Sequence, residues 1–341
     1  MKKEKKEEGR IRVIIVMMMV MGCNSGGVKD AEKVFLSEMV NLGKGFMEVF
    51  VSFGDMITGT LGIKAETKKS EIGKYFSDIA DTMESVKNKL QAEVAKNSKY
   101  EKVKTVVDEF ITGTLDRIAT GAKEAAKGAT TDAAIGNAKQ NEDAVPGDIA
   151  SVNSLVKGIK EIVGVVLKKG EGDPNATKTG ETEQKSVGNL LATQNDVTEQ
   201  QAAAASASIG AISGADILQA ISHSEDVSVS KDINTVINVA EIAVAKKDSV
   251  TKTLDQAKKD AVIVGGIALR AMAKEGRFAA KNGDVKYPNA VNGAVASAVN
   301  KVLSTLVIAI RNRVDLGLKE INKLLGEIKQ VEGSESKVKA N

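Results

Sequence analysis

Phe35, Met39, Leu42, Phe46, Val49, Phe53 and Met56 recur at alternating intervals of four and three residues. That spacing puts seven side chains on one stripe of an α-helix, whereas a strand, with its period of two, would scatter them over both faces. Ile72, Phe76, Ile79, Met83, Val86 and Leu90 repeat the pattern soon afterwards. Two long apolar stripes in succession need helical partners, and a period near 3.5 favours the shallow crossing of bundles and coiled coils.

The rest of the chain continues in the same alphabet. Ser98-Lys99-Tyr100-Glu101 reads as a capping box that opens a third helix through Tyr100, Val103, Val107 and Phe110. A fourth runs through Val152, Val156, Ile159, Val163 and Val166, with Asp148 or Ser151 as its cap. Residues 199–221 and 261–274 are rich in Ala, Ser and Gly, which predicts thinner, more mobile helices that bury less apolar area per turn. The final pattern is strong again, with Val295, Val299, Val302 and Leu306 followed by Val314, Leu318, Ile321, Leu325 and Ile328. The three prolines, Pro146, Pro174 and Pro288, stand in Gly/Asp/Asn-rich surroundings and leave long stretches free to be helical. No strand-like alternation is found, so the expected fold is all-α, an elongated helical bundle with long polar loops.

The predicted loops are 136–148, 168–189, 222–231 and 281–292, of which 168–189 holds almost nothing that could be buried. One pentapeptide occurs twice, Ile57-Thr58-Gly59-Thr60-Leu61 and Ile111-Thr112-Gly113-Thr114-Leu115, each time ending an apolar stripe. It reads either as an old duplication of a helical hairpin or as a helix terminator used twice.

At the N-terminus, six basic and three acidic side chains within residues 1–12 precede nine apolar residues, Val13 to Met21. Nine is too few for a spanning helix, which needs ~20, but suits an export signal. The only cysteine, Cys23, follows immediately, with Gly22 before it and Val20 three places upstream. This predicts a lipoprotein signal peptide over 1–22, cleavage before Cys23, an S-diacylglyceryl group on its sulfur and an N-palmitoyl group on its new amine. An ordinary secretory peptide cut nearby, with Cys23 incidental, is the other reading. Several acyl chains, at ~0.8 kcal/mol per buried CH₂, anchor a protein stably where one does not. Asn24-Ser25-Gly26-Gly27 is then a supple tether.

Charge argues against a nucleic-acid partner. The chain has 48 basic and 45 acidic residues, and removing the six and three of residues 1–22 leaves 42 of each. The mature surface is balanced, and with no Trp, three Tyr and seven Phe there is no aromatic platform for bases. Chemistry is equally sparse. His223 is the lone histidine, set in a polar loop, so no histidine pair exists to hold a metal, and no cofactor is called for. Gly172-Asp173-Pro174-Asn175-Ala176-Thr177-Lys178-Thr179 ends like a phosphate-binding loop, but Thr177 stands where that motif needs glycine and no apolar strand precedes it. Asn175-Ala176-Thr177 matches a glycosylation triplet by pattern alone.

The blocks "GDMITGTLGIKAETKKSEIGKYF", "NSKYEKVKTVVDEFITGTLDRIATGAKEAAKGA", "DIASVNSLVKGIKEIVGVVLKK" and "LSTLVIAIRNRVDLGLKEINKLL" closely resemble the variable large proteins, the larger class of variable major lipoproteins of relapsing-fever spirochaetes. The resemblance implies a lipid-anchored antigen of the cell outer membrane, exposed at the surface and expressed one version at a time so that switching evades host antibody. It implies a helical fold and no catalytic residues, and it carries over only Cys23 as a modified site. Expected partners are outer-membrane lipid, through acylated Cys23, and host antibodies, with no transmembrane helix. On this view residues 23–331 form one helical domain, with stem helices near 29–118 and 291–331, an outward variable region at roughly 168–290, and a polar tail over 332–341. A surface adhesin is the alternative function, and an enzyme would need convergent polar groups that the sequence does not offer.

Overall fold

The computed structural model describes Lys44 and residues 62–96, 101–194, 197–250 and 252–338. Cys23, the signal peptide, the first apolar stripe, the first Ile-Thr-Gly-Thr-Leu copy and residues 98–100 of the predicted capping box lie outside the described residues. Among the described residues the fold is all-α. The helices are α1 Lys69–Lys96, α2 Glu101–Phe110, α3 Asp116–Ala126, α4 Ile149–Val166, α5 Glu181–Ser186, α6 Glu199–Ala211, α7 Gly214–Ser222, α8 Val239–Ala243, α9 Asp260–Met272 and α10 Lys286–Val338. Extended pairing among the described residues is limited to three isolated bridges, Lys68 with Ala134, Val145 with Arg277 and Asp232 with Lys246.

The stripes read from sequence are the buried faces. Ile72, Phe76, Ile79, Met83, Val86 and Leu90 of α1 are all buried, as are Val152, Val156, Ile159, Val163 and Val166 of α4. In α10 the eight apolar positions from Val295 to Leu325 are buried too. Helix α3 lies between α1 and α4, and it approaches α4 closely because two glycines face each other. A Cβ on Gly121 would sit 2.7 Å from the Gly158 carbonyl oxygen, and one on Gly158 would sit 2.3 Å from the Ala125 nitrogen. Asp148 caps α4, accepting the Ser151 N–H at 2.9 Å.

Four expectations change. First, the second Ile111–Leu115 copy is not a terminator: it is a π-helical turn that carries α2 straight into α3. Buried Phe110 and buried Leu115 are five residues apart. The wider turn absorbs the extra residue and keeps both on the core side. Second, residues 199–221 are two helices bent by 97°. Ser213 starts α7 with a capping box, its hydroxyl accepting Asp216 N–H while the Asp216 carboxylate accepts Ser213 N–H.

Third, the Ala/Gly-rich segment 261–274 is no thin outer helix. All thirteen residues of α9 are buried, and α6, α7, α8 and α10 pack around it. Small side chains there allow close approach on every side, as in the Gly266 position, where a Cβ would meet the Ile242 side chain at 2.4 Å. Fourth, segment 168–189 is not free of burial: Ala176, Gln184 and Val187 are buried, the last opening a 3₁₀ turn over Val187–Leu191. The polar loop 136–148 is likewise pinned by its backbone. Ala144 N–H donates to Ala192, Val145 exchanges bonds with Arg277, Gly147 N–H donates to Ala243 and Asp148 N–H to Lys274. At the C-terminal end α10 continues through Val338, so part of the expected polar tail extends the helix.

Candidate functional site

The near-miss phosphate loop folds onto an internal anion. Asp260, the first residue of α9, is fully buried and accepts the N–H of Lys178 at 2.6 Å, the N–H of Thr179 at 2.8 Å and the Thr179 hydroxyl at 2.6 Å. Burial pushes its carboxyl upward, but hydrogen bonds from Ser208, Thr179 and the two backbone N–H groups outweigh this and hold the pKa below the usual 3.8. A cradle of N–H groups is a general anion site. Here a carboxylate of the chain itself occupies it, so these two N–H groups are not free for a phosphate. Asn175 is engaged as well: its side-chain oxygen accepts from Lys259 Nζ, and its N–H donates to Asp173 at 2.8 Å.

His223 ends α7, on the surface. Its Nδ1 lies 2.8 Å from the Gln219 carbonyl, a contact that requires the proton on Nδ1. It caps its own helix, and no carboxylate orients it as a general base requires. Among the described residues no group of three His, Cys, Asp or Glu side chains converges as a metal site.

The sequence reading missed two buried cations. Lys69 and Arg270 are both fully buried. Lys69 Nζ, at the start of α1, donates to the carbonyls of Ala273 at 2.6 Å and Gly276 at 2.7 Å. Those carbonyls lie just beyond the C-terminus of α9, where a helix leaves acceptors unmet and concentrates negative partial charge. Arg270, in the last turn of α9, serves α8 in the same manner: Nη1 donates to Ala243 at 3.3 Å and Ala245 at 3.1 Å, and Nε to Arg277 at 3.1 Å. Its guanidinium also lies 5.9 Å from the Phe278 ring centre. Burial, the Arg270 charge and, in the opposite sense, Glu275 set the Lys69 pKa, which is lowered to about 7. The signal for Arg270 was legible, because it is the one charge inside the apolar run that follows Asp260 in α9. Lys69 gave none, since it lies in an ordinary polar helix start.

Helix α10 contains a stretch long and apolar enough to cross a membrane, but 61% of that stretch is buried inside the protein, against α6, α7 and α9. That is the pattern of a core helix. Its exposed face still carries Ile308 and Leu316, 54% and 43% exposed, and the other large apolar side chains that meet solvent among the described residues lie on the connections. Val229 is 61% exposed, Val250 86% and Val285 68%, while the loop after α7 is pinned at its start, where Ser224 and Val227 are buried, the Asn153 carboxamide pairs with the Val227 N–H and carbonyl at 2.9 Å each, and Lys157 meets Asp226 at 2.8 Å.

Comparison with known proteins agrees with this architecture. The model of the Borrelia lipoprotein family matches residues 46–325. Variable large protein 17 of Borrelia hermsii is 57% identical over 310 residues, covering 88% of this chain and 87% of that one. Variable large protein 4 of the same organism is 54% identical over 339 residues, covering 95% of each. The crystal structure of the Lyme disease variable surface antigen VlsE of Borrelia burgdorferi superposes with a TM-score of 0.74 at 32% identity, over 85% of this chain and 98% of that one. The packed helices, the pinned loops and the sequence kinship converge, and the chain belongs to the Borrelia lipoprotein family, as one of the variable large proteins.

Proposed function

We propose that this chain is a surface antigen held on the outer membrane by acylated Cys23, replaced by antigenically distinct versions so that host antibody loses its target. Its relatives carry the variable large protein and variable surface antigen names. The observation that carries the proposal is the division of labour within the fold: α9 and the buried stripes form an apolar framework, and connections such as 168–173, 246–250 and 281–285 contain no buried residue. Surface substitutions away from special features shift stability by only about 0.5 kcal/mol, so such connections tolerate change that the framework does not.

The burial of α9 narrows the region proposed to face outward. Within 168–290 it comprises the loops 168–173, 228–232, 246–250 and 281–285, whose residues are mostly exposed, and leaves out α9, all of which is buried. Fatty-acid labelling of whole cells tests the anchor, with Cys23→Ala expected to lose both label and membrane association. Protease shaving of the same cells tests orientation, with cleavage expected in those loops. Labelling that survives Cys23→Ala, or antibody and protease footprints confined to residues 29–110 on intact cells, overturns the corresponding part.

A further inference from the structure

Asn-Gly occurs twice in the chain, ten residues apart, at Asn282-Gly283 and Asn292-Gly293. An asparagine followed by glycine is open to intramolecular attack on its side-chain amide, because no Cβ shields the next backbone nitrogen and the glycine backbone bends freely. The two copies meet opposite fates in the fold. Asn292 lies inside α10 with both ends of its carboxamide fixed: Oδ1 accepts the Ala138 N–H at 2.8 Å and Nδ2 donates to the Ala138 carbonyl at 3.1 Å. Its neighbour Gly293 is held in helical geometry, which keeps the backbone nitrogen away from the side-chain carbon.

Asn282 lies in the exposed loop before α10. Its carboxamide is folded over the next residue, with Oδ1 accepting the Gly283 N–H at 2.8 Å. Gly283 has φ +104°, a conformation that residues with a side chain rarely adopt. The nucleophile and the amide it must reach are thus already adjacent, in a segment with no helix to break. Asn141 and Asn175, also in loops, are followed by Glu142 and Ala176, whose side chains hinder the same attack.

We propose that Asn282 is a site of spontaneous deamidation, which converts it to aspartate and isoaspartate in the folded protein while Asn292 is protected. The Gly283 amide nitrogen gives its proton to water or hydroxide and bonds to Cγ of Asn282. The Cγ–Nδ2 bond then breaks, and ammonia leaves carrying a proton from solvent. The resulting five-membered imide adds one water at either carbonyl, which reopens the ring to an aspartyl or an isoaspartyl link with no change of oxidation state. Either product places a new carboxylate beside Asp284, whose side chain accepts the Lys286 N–H at 2.9 Å at the head of α10. The isoaspartyl product also lengthens the main chain by one methylene just before that cap. This chemistry depends on the loop alone and holds whether or not the protein is displayed on a cell.

Lys281 and Lys286 bracket Asn282, so trypsin separates it from Asn292. The folded protein is incubated in mildly alkaline buffer, sampled over time, and each peptide is scored by mass for amide-to-acid conversion and by enzymatic methylation for isoaspartate. The peptide with Asn282 is expected to convert about tenfold or more faster than that with Asn292, whose attack first requires local opening of α10. In urea the two rates are expected to converge, and Asn282→Gln should abolish the signal from the first peptide. Equal rates in the folded protein, or conversion of Asn282 only after unfolding, overturns the proposal.

Discussion

Lys69 Nζ donates to the Ala273 carbonyl across 2.6 Å, joining residues 204 positions apart in sequence. The bond ties the start of α1 to the end of α9, and it does so with a cation that meets carbonyl oxygens, in a core where two cations, Lys69 and Arg270, are both fully buried. Helix C-termini offer acceptors and partial negative charge, so a buried cation placed there has its desolvation partly offset.

Replacing that cation should be felt in stability and in its dependence on pH. Lys69→Met leaves the Ala273 carbonyl without this donor and is expected to cost ~1–3 kcal/mol at neutral pH, measured by urea denaturation. Because the folded-state pKa is about 7 against 10.5 for an ordinary lysine, the unfolded chain binds more protons between these limits. The stability of the parent relative to Lys69→Met therefore rises as pH climbs from about 7 toward 10.5. A flat difference over that window would contradict the role of burial.

Asp260 has the opposite sign. Its pKa is held below 3.8, so its contribution is complete above that value and is lost as pH falls through the lower folded-state value. Asp260→Ala is expected to destabilise by ~2–4 kcal/mol, since the N–H groups of Lys178 and Thr179 lose their acceptor. It should also speed proteolysis of the 172–180 segment. Added inorganic phosphate is expected to leave the stability of the parent unchanged, which thermal denaturation checks.

Two glycines of α4 should respond in opposite directions to the same change. Gly158→Ala drives a methyl against the Ala125 backbone and is expected to cost ~1–3 kcal/mol or more. Gly164→Ala finds its nearest neighbour, Arg117 Nη2, at 3.7 Å, and gains ~0.5–1 kcal/mol from helix propensity. Thermal denaturation of the pair compares them within one helix.

Tolerance to antigenic change should follow burial more than position in the chain. Val250→Asp, at a site 86% exposed, is expected to leave stability within about 0.5 kcal/mol. Val264→Asp, fourteen residues on and fully buried in α9, is expected to cost more than ~4 kcal/mol. Binding of antibodies raised against the parent, measured beside urea denaturation, separates loss of an epitope from loss of the fold.

What the sequence settled was the helical class and the buried face of each strongly patterned helix. Ile72 to Leu90 and Val295 to Leu325 are interior because apolar residues at intervals of three and four can be dry on one side only when that side is covered. Asp148 was legible as a cap for the same local reason, since the bond it makes spans three residues. Tertiary structure decided the rest. Helix α9 reads as weak because Ala and Gly bury little area, yet neighbours on all sides make it the centre of the core, which no local pattern can report. The partners of Lys69 and Asp260 lie 204 and 81 residues away, and the two buried polar sites exist only because the chain returns to meet itself.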